Sequence, residues 1–291
     1  MKPAAFDYVA ADSLEAGLSV LERAGADGKI LAGGQSLLPM LNFRLIRPSI
    51  LIDINPIPGL AYVEDTGGAV RIGALTRHHT LETSSVVKAH LPVLAAAMRH
   101  VAHLAIRNRG TLGGSLSHAD PAAELPMLAL LLDARIGVRS RRGRRVVAAR
   151  DFFVGALSTA LGEDEILTDV ELAKPPAGAG WAFEEVARRT GDFALAAVGV
   201  TISARDGKAA EVRIAMMGVG ETPLRAPAAE AVLAGTTIGA AAVAEAAAAV
   251  EAAARPMADL HASLDYRRFL VGALARRAIG TAWRRAEAGR A

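Results

Sequence analysis

Two of the three pairs of adjacent glycines, far apart in the sequence, place the strongest constraint on how this chain of 291 residues can fold. Gly33–Gly34 directly follows a predicted strand, and Gly113–Gly114 follows a run of basic and polar residues. A glycine pair lets successive backbone amides converge on one point without a Cβ in the way, and such concavities bind anions, above all phosphates. A lone pair is more often a simple tight turn. Two pairs, each flanked by hydroxyl side chains (Ser36, Thr111 and Ser115), favour a pyrophosphate held from two sides.

The composition excludes several other kinds of site. No cysteine is present, which rules out disulfides, thiolate zinc sites, iron–sulfur clusters and a cysteine nucleophile on this chain. With 33 Lys and Arg against 30 Asp and Glu, the formal charge of +3 is too small to imply a nucleic-acid partner. Asp7, Asp12 and Glu15 interrupt the N-terminus where a signal peptide would be apolar, and charge-free runs such as residues 231–244 are too short for a membrane helix. We therefore expect a cytoplasmic protein with no membrane insertion.

The coarse pattern of apolar residues and turn signals predicts strands followed by helices in each half of the chain. A turn-rich stretch at residues 174–180 separates the halves, and Asp206–Gly207 predicts a hairpin in the second half. This order is typical of an α+β fold rather than a doubly wound sheet. The individual predictions are a helix over residues 12–25, strands over 29–32, 49–54 and 70–74, a helix over 91–106, an apolar run over 127–132, strands over 134–138, 146–147, 196–204 and 211–218, and helices from about residue 226 onward.

Several histidines invite a metal-binding or catalytic interpretation, but simpler ones are favoured. For His78–His79 we expect exposed loop residues rather than a metal pair, because adjacent positions rarely face one ligand. His100 and His103 fall one turn apart on a predicted helix but have no carboxylate partners in the neighbouring sequence. His118 accompanies no serine or cysteine nucleophile motif, so we expect a loop residue that shapes the site. We predict no metal site and no catalytic residue on this chain.

Arg139–Arg145 is the one dense basic run. A nucleic-acid interpretation needs interleaved aromatic residues or a known binding fold, and neither is present. We favour a solvent-exposed hairpin tip or a patch that contacts an acidic subunit.

Three segments together carry a family resemblance. They are AGGQSLLPMLNFRLIRPSILIDINPIPGL (residues 32–60), IGALTRH (72–78) and IRNRGTLGGSLSHADPAAELPMLALLLDA (106–134). With them the chain resembles the FAD-binding medium subunit of the molybdenum hydroxylases, the family of the carbon monoxide dehydrogenase medium chain and the xanthine dehydrogenase flavin domain. The resemblance implies a two-lobed FAD-binding fold of the vanillyl-alcohol-oxidase/MurB (PCMH) type over residues 1–176, with sublobes of about 1–55 and 56–176, and a small α+β C-terminal domain over 177–291.

The same resemblance implies which residues contact FAD. Backbone amides of Ala32–Leu37 and Thr111–Ser115 would hold the pyrophosphate, and Glu124 would accept hydrogen bonds from ribityl or ribose hydroxyls. Ile166 and Leu167 would lie along the isoalloxazine, with Phe193 near the ring where relatives often have Tyr. Phe193 belongs to a segment of residues 188–194, and relatives tend to carry Lys just before it. This chain has Glu184–Glu185 there, so no cationic contact with FAD is expected. The full set of expected FAD contacts is Leu31, Ala32, Gly33, Gly34, Gln35, Ser36, Leu37, Val101, Gly110, Thr111, Leu112, Gly113, Gly114, Ser115, His118, Glu124, Ile166, Leu167 and Phe193.

The function implied is electron transfer in a multi-subunit oxidoreductase. A large subunit would carry molybdenum–pterin and a small subunit two [2Fe–2S] clusters, in a heterotrimer or its dimer, while this chain passes electrons from those clusters through FAD to an external acceptor. Two alternatives stay open. One is a stand-alone flavin-dependent oxidase of the same fold superfamily, and the other is a non-enzymatic RNA-binding protein that uses Arg139–Arg145.

Overall fold

The N-terminal lobe is built around a small parallel sheet, as seen in the computed structural model, which describes residues 2–289. Strands β1 and β2 both pair with β3 in parallel, so the sheet order is β1-β3-β2. The first helix begins where the Ser13 hydroxyl accepts a hydrogen bond from the Ala16 amide (3.2 Å) and ends at Gly25, which adopts a positive φ. The elements are β1 (Asp7–Ala10), α1 (Leu14–Ala24), β2 (Gly28–Leu31), α2 (Leu37–Asn42) and β3 (Ile50–Asp53).

The second lobe packs helices against a five-stranded antiparallel sheet of order β4-β5-β10-β6-β7. Helix α8 is apolar except for its first residue and buried along its whole length, and its side chains fill the main core of this lobe. The elements are β4 (Val63–Asp65), β5 (Ala69–Gly73), α3 (His78–Thr83), α4 (Ser85–His90), α5 (Pro92–Ala97), α6 (Leu104–Arg107), α7 (Leu112–His118), α8 (Glu124–Leu131), β6 (Arg135–Ser140), β7 (Gly143–Ala148), α9 (Ala149–Phe152), β8 (Phe153–Gly155), β9 (Ser158–Thr159) and β10 (Ile166–Ala173).

The C-terminal part is a four-stranded antiparallel sheet of order β11-β12-β13-β14 with helices on one face. The opposite face packs on the core of the second lobe, which places this sheet between two layers of helices. Asp206 and Gly207 both adopt positive φ (51° and 76°), the conformation of the two-residue hairpin turn that their sequence predicts. The elements are β11 (Gly180–Ala187), β12 (Ala194–Arg205), β13 (Lys208–Met217), β14 (Leu224–Arg225), α10 (Pro227–Leu233), α11 (Ala240–Ala253) and α12 (Leu264–Ala288).

The mixed architecture of helices and strands confirms the predicted α+β class. The predicted division at residues 176 and 177 falls between β10 and β11 and stays a prediction. None of the helices within residues 2–289 combines the length and the apolar character needed to cross a membrane.

The predicted helix over residues 91–106 and the placement of His100 and His103 on it are both wrong. The helix predicted over residues 91–106 is broken into α5 and α6. Between them Ala102 adopts a φ of 42°, and the Arg107 guanidinium donates to the carbonyl oxygens of Val101 and Ala102, both at 3.0 Å. The Arg107 side chain thus takes over carbonyls that a continuous helix would have used, and His100 and His103 lie outside helices.

Candidate functional site

The two glycine segments, residues 32–37 (the first segment) and 108–115 (the second segment), lie in contact with each other. A Cβ on Gly33 would stand 2.5 Å from the Arg109 carbonyl oxygen and 2.9 Å from the Gly110 Cα. Only glycine allows this approach between the two backbones. The fold therefore joins two stretches that the sequence separates by more than seventy residues.

The first segment presents a row of free backbone donors. Within the described chain, none of the five amides from Gly33 to Leu37 donates a hydrogen bond to a protein atom. Gly34 adopts a φ of 73°, and the Gln35 side-chain amide donates to the Gly33 carbonyl oxygen (2.9 Å), which holds the turn in this shape. Successive unpartnered amides are unusual in folded proteins unless water or a ligand accepts from them. Phosphate oxygens are suitable acceptors for such a row.

The second segment is the start of a helix rather than a loop, which alters the predicted role of its amides. Thr111 caps α7 with its hydroxyl, which accepts from the Gly114 amide (3.1 Å). The Leu112 amide donates to Thr76 (3.0 Å), and those of Gly113 and Ser115 also donate to carbonyl oxygens within the protein. The donors left for a ligand are the Thr111 amide, which donates no hydrogen bond within the described chain, and the hydroxyl groups of Thr111 and Ser115. The contact between this segment and FAD stays a prediction.

Two residues that the sequence analysis did not single out fasten the segments together. The Arg77 guanidinium donates to the Arg109 carbonyl oxygen (2.6 Å) and to the Asn55 side-chain oxygen (2.8 Å). The Asn55 side-chain amide in turn donates to the Ala32 carbonyl oxygen (2.8 Å). Arg77 and Asn55, here called the clamp, thereby connect the backbone of the first segment to that of the second. Asn55 directly follows a predicted strand, and polar residues at strand ends were the available signal.

His78 corrects the expectation of an exposed loop histidine, because it is buried at the start of α3. Its ring contacts Gly110, where an added Cβ would stand 2.8 Å from ring atoms. Its Nε2 lies 3.0 Å from the Thr111 carbonyl oxygen and donates to it, which leaves the buried Nδ1 without a hydrogen-bond partner. Burial lowers the pKa of His78 to about 4, so the ring is neutral at neutral pH. The neutral His78 ring thus stabilises the second segment, because it packs on Gly110 and donates to the Thr111 carbonyl oxygen.

The remaining predicted contacts differ in exposure, and only Phe193 among them is exposed. Glu124 is buried at the start of α8, and burial, helped by Asp120, raises its pKa to about 7. Phe193 is 68% exposed on the loop before β12 and is free to cover a ligand. By contrast Ile166 and Leu167 are buried in the cores of the first and second lobes respectively. Val101 is also buried, and His118 is the partly buried last residue of α7 rather than a loop residue. The contacts of all these residues with FAD stay predictions.

The basic run forms the predicted hairpin, between β6 and β7, and four of its five arginines are paired with carboxylates of the chain. Carboxylates from α1, from the segment before β10 and from β10 itself accept from four of its guanidinium groups. The pairs are Arg141–Glu22 (2.6 Å), Arg142–Asp164 (2.7 Å), Arg144–Asp169 (3.1 Å) and Arg145–Glu165 (2.5 Å). This pairing leaves little free positive charge for a polyanion.

Comparison with known proteins decides the family. Residues 4–175 match the family described as the FAD binding domain in molybdopterin dehydrogenase. The chain belongs to the molybdenum hydroxylase flavoprotein family. Residues 181–282 match a second family, the CO dehydrogenase flavoprotein C-terminal domain, which follows the first along the chain. The predicted family, FAD as cofactor and oxidoreductase class are thereby confirmed.

Relatives of this flavoprotein match it over nearly its full length. The 6-hydroxypseudooxynicotine dehydrogenase complex subunit alpha of Paenarthrobacter nicotinovorans is 42% identical, over 98% of this chain and 97% of that protein. The nicotine 6-hydroxylase medium subunit of the same organism is 45% identical, over 96% and 98%. A solved structure of carbon monoxide dehydrogenase from Hydrogenophaga pseudoflava, in a form that lacks the Mo-pyranopterin moiety, superposes with a TM-score of 0.96 at 40% identity, over 98% of this chain and 99% of that one.

Proposed function

We propose that this flavoprotein is the electron-transfer subunit of a molybdenum-containing hydroxylase. Electrons released at a molybdenum–pterin centre on a large subunit would pass through two [2Fe–2S] clusters on a small subunit to the FAD held here, and then to an external acceptor. The observation that carries the proposal is the row of five unpartnered amides, Gly33–Leu37, at the contact of the two glycine segments.

The residues of this chain bind and orient the cofactor, while bound FAD supplies the redox chemistry. The amides of Gly33–Leu37 donate to pyrophosphate oxygens, and the clamp keeps both segments at a fixed separation. The Glu124 carboxyl accepts hydrogen bonds from ribityl or ribose hydroxyls when ionised. Phe193, exposed on the loop before β12, packs on the ring system.

The absence of cysteine supports this division of labour among subunits. Iron–sulfur clusters need thiolate ligands, so clusters that exchange electrons with this chain must be bound by another subunit. Relatives are named as subunits of dehydrogenase and hydroxylase complexes. We propose the large molybdenum–pterin subunit and the small [2Fe–2S] subunit as partners, in a heterotrimer or its dimer located in the cytoplasm, without nucleic acid.

The test is electron transfer from the small subunit to this chain. The reconstituted complex is reduced through its clusters under anaerobic conditions while the flavin absorbance is followed. We expect the flavin bands of this chain to bleach only when the small subunit is present. Bleaching by an organic substrate with the isolated chain alone would instead support the stand-alone oxidase. Salt-dependent RNA binding by a colourless chain would support the RNA-binding alternative. The ion pairs made by four of the five arginines in Arg139–Arg145 argue against it.

A further inference from the structure

An aspartate at the end of a strand holds the clamp residue Asn55 by both its backbone and its side chain. Asp53 is the last residue of β3, the central strand of the N-terminal sheet. Its Oδ1 accepts from the Asn55 backbone amide (2.9 Å) and from the Asn55 side-chain amide (2.6 Å). Its Oδ2 accepts from the hydroxyl of Tyr8 on β1 (2.7 Å). Hydrogen bonds at both oxygens fix the carboxylate against rotation, and the carboxylate fixes Asn55 relative to the sheet.

The Asp53 side chain accepts these hydrogen bonds as a charged group. Its partial burial would raise the pKa, but the hydrogen bonds from Asn55 and Tyr8 outweigh that effect and hold the pKa of Asp53 below its usual value. The carboxyl group is therefore ionised at neutral pH. Hydrogen bonds to an ionised acceptor are stronger than those between neutral groups, so Asp53 holds Asn55 more firmly than a neutral acceptor could.

The surroundings of Asn55 allow one orientation of its side-chain amide. Its Oδ1 accepts from the Arg77 guanidinium (2.8 Å), a group that can only donate. Its Nδ2 donates to the Asp53 carboxylate and to the Ala32 carbonyl oxygen (2.8 Å), groups that can only accept. A reversed amide would set donor against donor at Arg77 and oxygen against oxygen at the other two contacts. Asp53 thus helps to select the orientation in which Asn55 binds the first segment.

The bond from Asn55 to Ala32 sets the direction of the first amide in the row of unpartnered donors. The Ala32 carbonyl and the Gly33 amide belong to one peptide unit, which is planar and trans. In such a unit the N–H points opposite to the C=O, so the hydrogen bond at the Ala32 oxygen turns the Gly33 N–H away from Asn55. The next unit is held in the same manner, because the Gln35 side-chain amide donates to the Gly33 carbonyl oxygen and thereby directs the Gly34 amide.

We propose that Asp53 is a positioning residue for FAD, which aims the Gly33 amide at the pyrophosphate by way of Asn55. This role rests on the proposed function of the chain as an FAD-binding electron-transfer subunit. Positioning and direct electrostatics have opposite signs at Asp53. A negative charge beside the first segment repels an anion, so its removal would tighten FAD binding if Asp53 acted by charge alone. Removal weakens FAD binding if the carboxylate acts by holding Asn55.

The test compares the Kd for FAD of Asp53→Ala with that of the wild-type apoprotein, by titration followed through flavin fluorescence. We expect the Kd to rise by at least about tenfold, because a hydrogen bond to a charged group contributes about that factor or more to an equilibrium constant. Asp53→Asn keeps a side-chain oxygen that can accept from Asn55 and should recover most of the lost affinity. Asp7→Ala is the matched control. It removes an exposed carboxylate of the same sheet that makes no side-chain hydrogen bond in the described chain, and it should leave the Kd unaltered.

A double variant shows whether Asp53 acts through Asn55. Asp53→Ala should raise the Kd little further when it is added to Asn55→Ala, since residues that act by one contact are not additive. Tyr8→Phe, at a residue that is 55% exposed, removes only the bond at Oδ2 and should raise the Kd by about threefold. It tests the same chain of contacts if Asp53→Ala does not fold.

The outcomes separate this inference from the function on which it rests. A Kd for Asp53→Ala at or below the wild-type value, a full tenfold rise on top of Asn55→Ala, no recovery in Asp53→Asn, or an unchanged Kd for Tyr8→Phe would each overturn the positioning role. The electron-transfer function stands in those cases if the flavin of the complex still bleaches through the small subunit. If the wild-type chain binds no FAD even with its partner subunits present, both proposals fail.

Discussion

At the scale of single residues, the site depends on a backbone approach that one methyl group would prevent. A Cβ added to Gly33 or Gly114 would not stand in open space. The structure shows the added Cβ atoms meeting protein, the Arg109 carbonyl at Gly33 and the Thr111 hydroxyl (2.7 Å) at Gly114. Substitution at either glycine therefore separates the segments or breaks a helix cap.

Gly33→Ala should weaken FAD binding without unfolding the chain. A contact of 2.5 Å with backbone forces the two segments apart, and the Kd for FAD should rise by at least about tenfold, which corresponds to 1.4 kcal/mol. Titration of the apoprotein with FAD, followed by flavin fluorescence, measures this change. Gly68→Ala is the control, because a Cβ there meets nothing within 4 Å, and equal Kd values for the two variants would contradict the role of the contact.

Asn55→Ala tests the clamp. It leaves the Ala32 carbonyl and one Arg77 donor without their partners, and lost buried hydrogen bonds of this kind cost about 1–3 kcal/mol. We expect the Kd for FAD to rise roughly tenfold or more, while far-UV circular dichroism stays unchanged. Asn108→Ala, at an exposed position in the second segment, should leave the Kd unaltered. A Kd for Asn55→Ala within twofold of wild type would remove the clamp from the account.

At the scale of elements, prediction from sequence succeeded where the signal is local. Asp206–Gly207 specifies its hairpin, and Ser13 specifies the start of α1, because the deciding contacts lie within a few residues. It failed where the outcome depends on side-chain contacts or strand pairings that the apolar pattern does not contain. Arg107 interrupts the helix expected over 91–106, and the parallel pairing of β1, β2 and β3 depends on how separate strands meet.

The candidate site was likewise only partly predictable from the sequence. The glycine pairs identify the two segments, since glycine is the residue that such approaches require. The donors of each segment could not be assigned, because the sequence does not show that Thr111 caps α7 and that the following amides are used inside the protein. The clamp carries no local pattern either, as its members come from separate elements.

Thr111→Val should lower both stability and FAD affinity. The change removes the hydroxyl that caps α7, and loss of such a cap costs about 1 kcal/mol of the free energy of unfolding. Urea unfolding with and without FAD measures both effects, and the difference between the two curves should shrink relative to wild type. Thr111→Ser retains the hydroxyl and should behave like wild type. Unchanged unfolding of Thr111→Val would contradict the capping role.

At the scale of the whole molecule, a buried carboxyl group links stability to pH, because the side chain of Glu185, on β11, is only 3% exposed. The folded pKa of about 8 lies above the model-compound value of 4.5, so the folded state retains a proton that the unfolded state loses in this range. The stabilisation from this proton is complete below pH 4.5 and disappears as the pH rises through about 8. E185Q should therefore show a smaller fall in the free energy of unfolding between these pH values, measured by urea unfolding. E184Q should reproduce the wild-type profile, and identical profiles for E185Q and wild type would contradict this linkage.

The central claim is that this chain holds FAD between its two glycine segments. The most direct measurement is the flavin content of the purified wild-type chain beside Gly33→Ala, from the visible spectrum and from chromatography of the released cofactor. The account predicts flavin bands with one FAD per wild-type chain and a marked loss in the variant. A wild-type chain that binds no flavin even with its partner subunits present, or a variant that retains FAD in full, would contradict it.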